Sequence, residues 1–264
     1  MKNLEKISGL PISVDDDGKI EFREPLFPVA PQSRTLAEMR PVLLEQEIVN
    51  AENAEKNIYD VYRTVNLRED EKLFKDKNIR YDITIVHPGL LGEEFSKTFG
   101  HFHENGYPEV FEVLSGRAFW LLQNYDASPT KIKRAILVEA GEGEKAIMLP
   151  GFGHVSVNPE PNQKLVISNF IATNFENNYE IYTKLRGACY YIISKNGEFE
   201  FVANPNYKEV PALIRARPKQ IPEIGIVWSK PLYSLVENPE HLSFLSSSDK
   251  FSNLLTFENC YELI

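Results

Sequence analysis

The sequence predicts an all-β fold, an antiparallel sandwich or barrel, and three observations carry that expectation. Between residues 57 and 202, short runs of β-branched, aromatic and aliphatic residues recur, most of them separated by Gly or by Asn/Asp clusters. No stretch of that region sustains the 3.6-residue apolar repeat of an amphipathic helix. The coil between runs is also too short for repeated strand–helix–strand crossovers. Twelve Tyr and sixteen Phe agree with this, because aromatic rings pack well on pleated sheets.

Residues 1–56 read as an N-terminal arm followed by a short helix. Pro11, Pro25, Pro28 and Pro31 punctuate the arm, and GKIEF at 18–22 suits a short strand. PVLLEQEIVNAENAEK at 41–56 reads as helical: Pro41 fits a first helical position, and Leu43, Leu44 and Ile48 give one apolar side. Residues 57–208 are assigned to the barrel. Its strands run from IYDVYRTV at 58–65 and RYDITIVH at 80–87, through EVFEVLSG, AFWLLQNY, RAILVEA, KAIMLPG, KLVISNFIA and ACYYIIS, to EFEFVAN at 198–204. Residues 209–264 form a C-terminal extension punctuated by Pro211, Pro218, Pro222 and Pro231. NPEHLSFL at 238–245 predicts a capped short helix, with Asn238 before Pro239. FSNLLTFENCYELI at 251–264 is too apolar for a disordered tail and is expected to pack on the barrel or on a partner subunit.

A net charge of −9 over 264 residues argues against nucleic acid or an anionic membrane surface as the main partner. It leaves room for a small anionic ligand, since a local site can oppose the overall sign. The two cysteines, Cys189 and Cys260, build neither a disulfide framework nor a metal-type pair. The first 22 residues lack the apolar core of a signal peptide, and no run has the length of a membrane span. A reducing, cytoplasmic location is therefore expected.

The stretch GHFHENGYPEVFEV at 100–113 carries the chemistry. On a strand, residues i and i+2 face the same way, so His101 and His103 project together. On the next strand Glu109, Phe111 and Val113 share one face while Val110, Glu112 and Leu114 share the other. Only one of Glu109 and Glu112 can therefore look toward the histidines. A further ligand is offered by MLPGFGHVSVN at 148–158, where a Pro-Gly turn delivers His154 to the start of a strand. Of the five histidines, His87 precedes Pro88 and faces away from Thr84 by strand parity, and His241 falls on the extension. Any one of these residues alone is ordinary; their joint spacing points to a metal. Three imidazoles and a carboxylate suit Zn, Fe, Mn or Ni, with positions left open for a substrate.

The pattern HFH…E…G…PGFGH…N resembles the two motifs of the cupins, small antiparallel β-barrels that hold a metal between their sheets; Gly116 and Asn158 complete it. More narrowly, HPGLLGEEFSKTFGHFH at 87–103 resembles the cupin-type, archaeal-type phosphoglucose isomerases. That family carries Tyr-Pro-Gly, Gly-x-Glu-Phe, Thr-x-Gly-His-x-His and then Glu-Val-Tyr, where this chain has Glu109-Val110-Phe111. TLAEM at 35–39, IYDVY at 58–62, NNYE at 177–180 and NGEFEFVANPNYK at 196–208 extend the likeness over about residues 35–208.

The resemblance implies a homodimeric enzyme that interconverts glucose 6-phosphate and fructose 6-phosphate with one divalent metal ion. His101, His103, Glu109 and His154 would hold the metal. Thr84, Thr98 and the Gly100 amide would cradle the phosphate, and Tyr59 and Tyr179 would line the sugar site. Phe111, Ile171 and Asn177 depart from the family pattern, which has Tyr, Tyr and His there, so the sugar side is expected to differ. Such isomerisation proceeds by proton transfer through an enediol, with Glu109 as the carrier, or by a metal-assisted hydride shift. The sequence lacks a P-loop and no dense Lys/Arg cluster is expected to flank the site, so neutral Thr and Gly donors are expected to grip the phosphate. Two other readings remain open: a non-catalytic phosphosugar-binding cupin, and a metal-dependent cupin enzyme acting on another sugar phosphate.

Overall fold

Every run read as a strand between 58 and 204 lies on a strand in the computed structural model, which describes residues 1–264. Two sheets form the body. The six-stranded sheet runs, edge to edge, Lys145–Met148, Glu109–Ser115, Leu165–Ala172, Ile79–Val86, Asn57–Tyr62 and Gln32–Thr35, antiparallel throughout. The five-stranded sheet runs Gly153–Val157, Ala118–Tyr125, Ile132–Ala140, Leu213–Pro218 and Tyr261–Leu263. Its single parallel pair joins Ile132–Ala140 to Leu213–Pro218. This is a cupin barrel, and its core is one cluster of 65 buried residues with Trp120 wholly enclosed. No helix is long and apolar enough to cross a membrane.

The six-stranded sheet is covered on both sides, which explains why Leu165–Ala172 does not alternate cleanly between apolar and polar. All eight residues of Leu165–Ala172 are buried. One side lines an internal cavity. On it the register sets Thr84 beside Ile167, Asp82 beside Asn169 and Arg80 beside Ile171. The other side is apolar and lies under the C-terminal extension. There the Tyr233 ring meets Tyr81 at 5.2 Å between centroids and Phe170 at 6.1 Å. The Tyr233 hydroxyl donates to Asp70 (2.7 Å) and accepts from the Leu67 amide (2.9 Å), so its polar tip is satisfied.

The sheets reach outside residues 57–208. Gln32–Thr35 from the arm and two strands of the extension are built into them. The helix expected over 41–56 is absent. An α-helix covers only Leu36–Met39, started by a capping box between Thr35 and Glu38, and 3-10 turns follow at Arg40–Val42 and Gln46–Ile48. The physical reason is a buried ion pair that takes over the backbone there. Glu94 accepts from the Leu44 amide at 2.7 Å, and Lys97 donates to the Val42 carbonyl at 2.8 Å. With those groups satisfied by side chains, helical hydrogen bonds are not needed. Pro239–Leu245 is likewise a 3-10 segment, and Asn238 contacts His241 instead of capping it.

Strand parity also separates the two glutamates. Glu112 points to the covered outer face, where Lys145 reaches it at 2.8 Å and the Leu232 amide donates to it at 2.8 Å. Both side chains of this pair are almost fully buried, at 2% and 1% exposure. Removing one partner strands the other charge in an apolar layer. Glu112→Ala is expected to lower the unfolding free energy by about 3–5 kcal/mol in a denaturant titration. Adding Lys145→Met to it should recover part of that loss.

Candidate metal centre

Three short segments meet at one end of the cavity. The His101 backbone pairs with His154 through reciprocal hydrogen bonds of 3.2 and 3.0 Å, which lays the run before His101 along the edge of Gly153–Val157. Phe102–His103 pairs in turn with Asn177–Asn178. Glu109 opens the Glu109–Ser115 strand and faces inward. One ligating atom from each of His101, His103, Glu109 and His154 lies within 4.8 Å of the others.

The contacts inside this group are close. His101 Nε2 stands 3.1 Å from His103 Nε2. Glu109 Oε2 stands 3.3 Å from His103 Nε2 and 3.2 Å from His154 Nε2. Glu109 Oε2 and both ring nitrogens of His154 are buried without a hydrogen-bond partner. Buried polar atoms without partners are costly. A cation among them would satisfy Glu109 Oε2 and one ring nitrogen of His154. Metal–nitrogen and metal–oxygen bonds of about 2.0–2.2 Å put neighbouring ligand atoms roughly 3 Å apart, which is the spacing seen. The donor set therefore fits a divalent metal.

Surrounding groups hold the donors in ligating form. His103 Nδ1 lies 2.7 Å from the Tyr107 carbonyl, so Nδ1–H donates there and Nε2 is left for a metal. Asn169 donates to Glu109 Oε1 at 2.6 Å and leaves Oε2 facing the imidazoles. Burial, then the neighbouring histidines, push His101 well below its ordinary value, and burial pushes His154 down too. Burial alone would raise Glu109, but its contacts with His103 and His154 outweigh it and keep the carboxylate ionised. Neutral imidazole and ionised carboxylate are the forms that bind metal.

The metal end opens into a cavity of about 270 Å³, the size of a small ligand rather than a large one. Tyr59, Thr84, Thr98, Gly100 and Tyr179 all line it. Thr98 Oγ1 accepts from the Ser156 amide at 3.0 Å, while the Gly100 N–H finds no acceptor in the protein. Tyr179 packs edge-on against Phe99 and tilted over His101. Phe111 and Ile171 make part of the wall apolar. His87 lies outside, bonded to Asp60 at 2.7 Å.

The expectation that no basic cluster flanks the site is overturned. Arg34, Arg63 and Arg80 all border the cavity. They stand far apart in sequence and meet only because Gln32–Thr35, Asn57–Tyr62 and Ile79–Val86 are neighbouring strands. Asp82 and Asn169 were missed as well. Each left a signal: the alternation of Arg80, Asp82 and Thr84 marks one polar face, and Asn169 is a lone amide in the apolar run LVISNFIA. The Tyr107 carbonyl left none, because backbone oxygens carry no residue identity.

A family model described as glucose-6-phosphate isomerase (GPI) matches residues 33–210. The glucose-6-phosphate isomerase of Pyrococcus abyssi is 28% identical over 196 residues, spanning 72% of this chain and 95% of that protein. That of Pyrococcus horikoshii is 29% identical over 178 residues, spanning 66% and 87%. Among solved structures, hazelnut vicilin overlaps with a TM-score of 0.35 at 15% identity, over 58% of this chain and 34% of that one. The polyketide cyclase RemF of Streptomyces resistomycificus gives 0.31 at 16%, over 46% and 70%. Overlaps that slight carry no functional weight.

Gly100 tests how tightly the cavity wall is set. Its φ is +82°, and a Cβ there would stand 2.5 Å from Val155 Cγ2 and 2.8 Å from the Tyr182 ring. Gly100→Ala is expected to cost at least about 2 kcal/mol of stability, read by chemical denaturation, because strain and overpacking add.

Proposed function

The chain belongs to the glucose-6-phosphate isomerase (GPI) family, and from that premise we propose that it interconverts glucose 6-phosphate and fructose 6-phosphate at one divalent cation held by His101, His103, Glu109 and His154. The observation that carries this reading is the convergence of those four side chains at the end of a sugar-sized cavity, with Glu109 Oε2 and both His154 ring nitrogens left without partners. The chemistry supplied by such a cation is Lewis-acid polarisation of adjacent carbonyl and hydroxyl oxygens.

The chain's own groups divide the remaining work. Thr84, Thr98 and the unpartnered Gly100 amide take the phosphate as neutral donors, and backbone can approach closely at Gly100 because no side chain intervenes. Tyr59 and Tyr179 flank the sugar. Phe111, Ile167 and Ile171 exclude water from its reacting end. Glu109 carries the proton between C2 and C1 on Oε1, which accepts from Asn169 and still has a lone pair. Asn169 thereby sets both the orientation of the carboxylate and the direction of its free oxygen.

Purified protein given fructose 6-phosphate and Mn²⁺ or Fe²⁺ should form glucose 6-phosphate in a coupled assay. EDTA and His103→Ala should each abolish turnover, and turnover that survives complete metal removal would refute the reading. Asn169→Ala should weaken metal affinity by about 10–100-fold in a calorimetric titration, as loss of a ligand-orienting hydrogen bond does. A second reading keeps the site and changes the sugar phosphate. The apolar Phe111 and Ile171 favour it, and mannose 6-phosphate is the first alternative substrate to assay.

A further inference from the structure

The basic cluster at the cavity mouth is not absorbed by the reading above. Asp82, on the cavity side of Ile79–Val86, is enclosed and holds two guanidiniums at once: Arg80 Nε donates to it at 2.6 Å and Arg63 Nη1 at 3.3 Å. Its other oxygen accepts from the Thr64 amide at 2.9 Å. Arg63 is braced from the far side by Gln32, whose Oε1 accepts from Nε at 2.8 Å. Both arginines are thus fixed in place, at 34% and 22% exposure, while their remaining N–H groups have no acceptor in the protein.

Two positive groups against one carboxylate leave a local excess of one charge. Of the other acids nearby, Glu109 also acts on Arg80, but its carboxylate is shared with the histidines. Glu38 is turned to its own helix start, accepting from the Thr35 amide and hydroxyl, and Glu109 faces the histidines. Glu176 stands exposed at the outer rim without an ion pair. Beyond the arginines the cavity continues into a groove of about 300 Å³ that shares Arg63, Arg80, Ile171, Asn177 and Tyr179 with it. Arg80 and Thr84 sit four residues apart on one strand face, so their Cα atoms are on the order of 13 Å apart, and the Arg80 guanidinium, held on Asp82, stands nearer the cradle than its Cα does.

We propose that Arg63 and Arg80, braced by Asp82, form a second anion-binding pole that takes the second phosphate of a sugar bisphosphate whose first phosphate lies in the Thr84–Thr98–Gly100 cradle. The inference rests on the reading of those three residues as a phosphate cradle. Guanidinium forks pre-set by a carboxylate present parallel N–H groups to a phosphate and lose little freedom on binding it. Because the Arg80 head reaches back along the strand to Asp82, the gap is one that a hexose with a phosphate at each end can span. The ligand class is therefore a hexose bisphosphate, which would occupy the site as a competitor of the monophosphate.

The test is calorimetric binding of fructose 1,6-bisphosphate and of fructose 6-phosphate to the metal-loaded full chain, in wild type, Arg80→Met and Arg63→Gln. The wild type should bind the bisphosphate about tenfold or more tightly than the monophosphate, the gain expected of charge-assisted hydrogen bonds. That ratio should fall to about one in Arg80→Met and drop in Arg63→Gln. A wild-type ratio near one, or a preference that survives in both variants, overturns the second pole. Turnover of fructose 6-phosphate in the same preparations reports separately on the isomerase reading. A bisphosphate preference lost with Arg80 in a protein without turnover would keep the pole and remove the isomerase.

Discussion

The molecule depends on one sheet being buried on both of its faces. In Ile79–Val86, Glu109–Ser115 and Leu165–Ala172, alternate residues face a polar cavity or an apolar layer, and a shift of one residue would exchange the two. The register Thr84–Ile167, Asp82–Asn169, Arg80–Ile171 therefore fixes every inward group at once. The same parity turns Glu109 to the histidines and Glu112 to Lys145. A side chain that is a ligand candidate and one that is a structural ion pair differ here by three positions on one strand.

Such a sheet needs a cover, and the C-terminal extension provides it. The Tyr233 ring closes over Tyr81 and Phe170, and the Leu232 amide completes the hydrogen bonding of Glu112. The match to the isomerase family stops at residue 210, so the extension lies outside the matched region. It nonetheless supplies two strands of the five-stranded sheet. The polar cavity lining can be this rich in charge because the reverse side of its wall is sealed against water by apolar area, whose burial offsets the cost of ordering the wall.

Much of this was legible in the sequence because it is written in local spacing. The strands between 58 and 204 announced themselves by length and composition, and the i, i+2 pair His101 and His103 placed two donors on one face. His154 was legible from the turn before it. What escaped was long-range or carried by backbone. Arg34, Arg63 and Arg80 belong to three separate segments, and only strand order brings them together. The run at 41–56 was misread as a helix because its apolar spacing was right, while the groups that satisfy its backbone, Glu94 and Lys97, lie some fifty residues further on. Propensity gave way there to a tertiary contact.

That buried pair has a further consequence. Glu94 and Lys97 clamp residues 42–44, and the same run continues directly into Thr98, Gly100 and His101. The stretch that meets an incoming ligand is thus riveted from behind before any ligand arrives. The entropy of arranging those donors has been spent during folding, so little remains to be lost on encounter. Stiffness at the back of the wall is converted into readiness at its front.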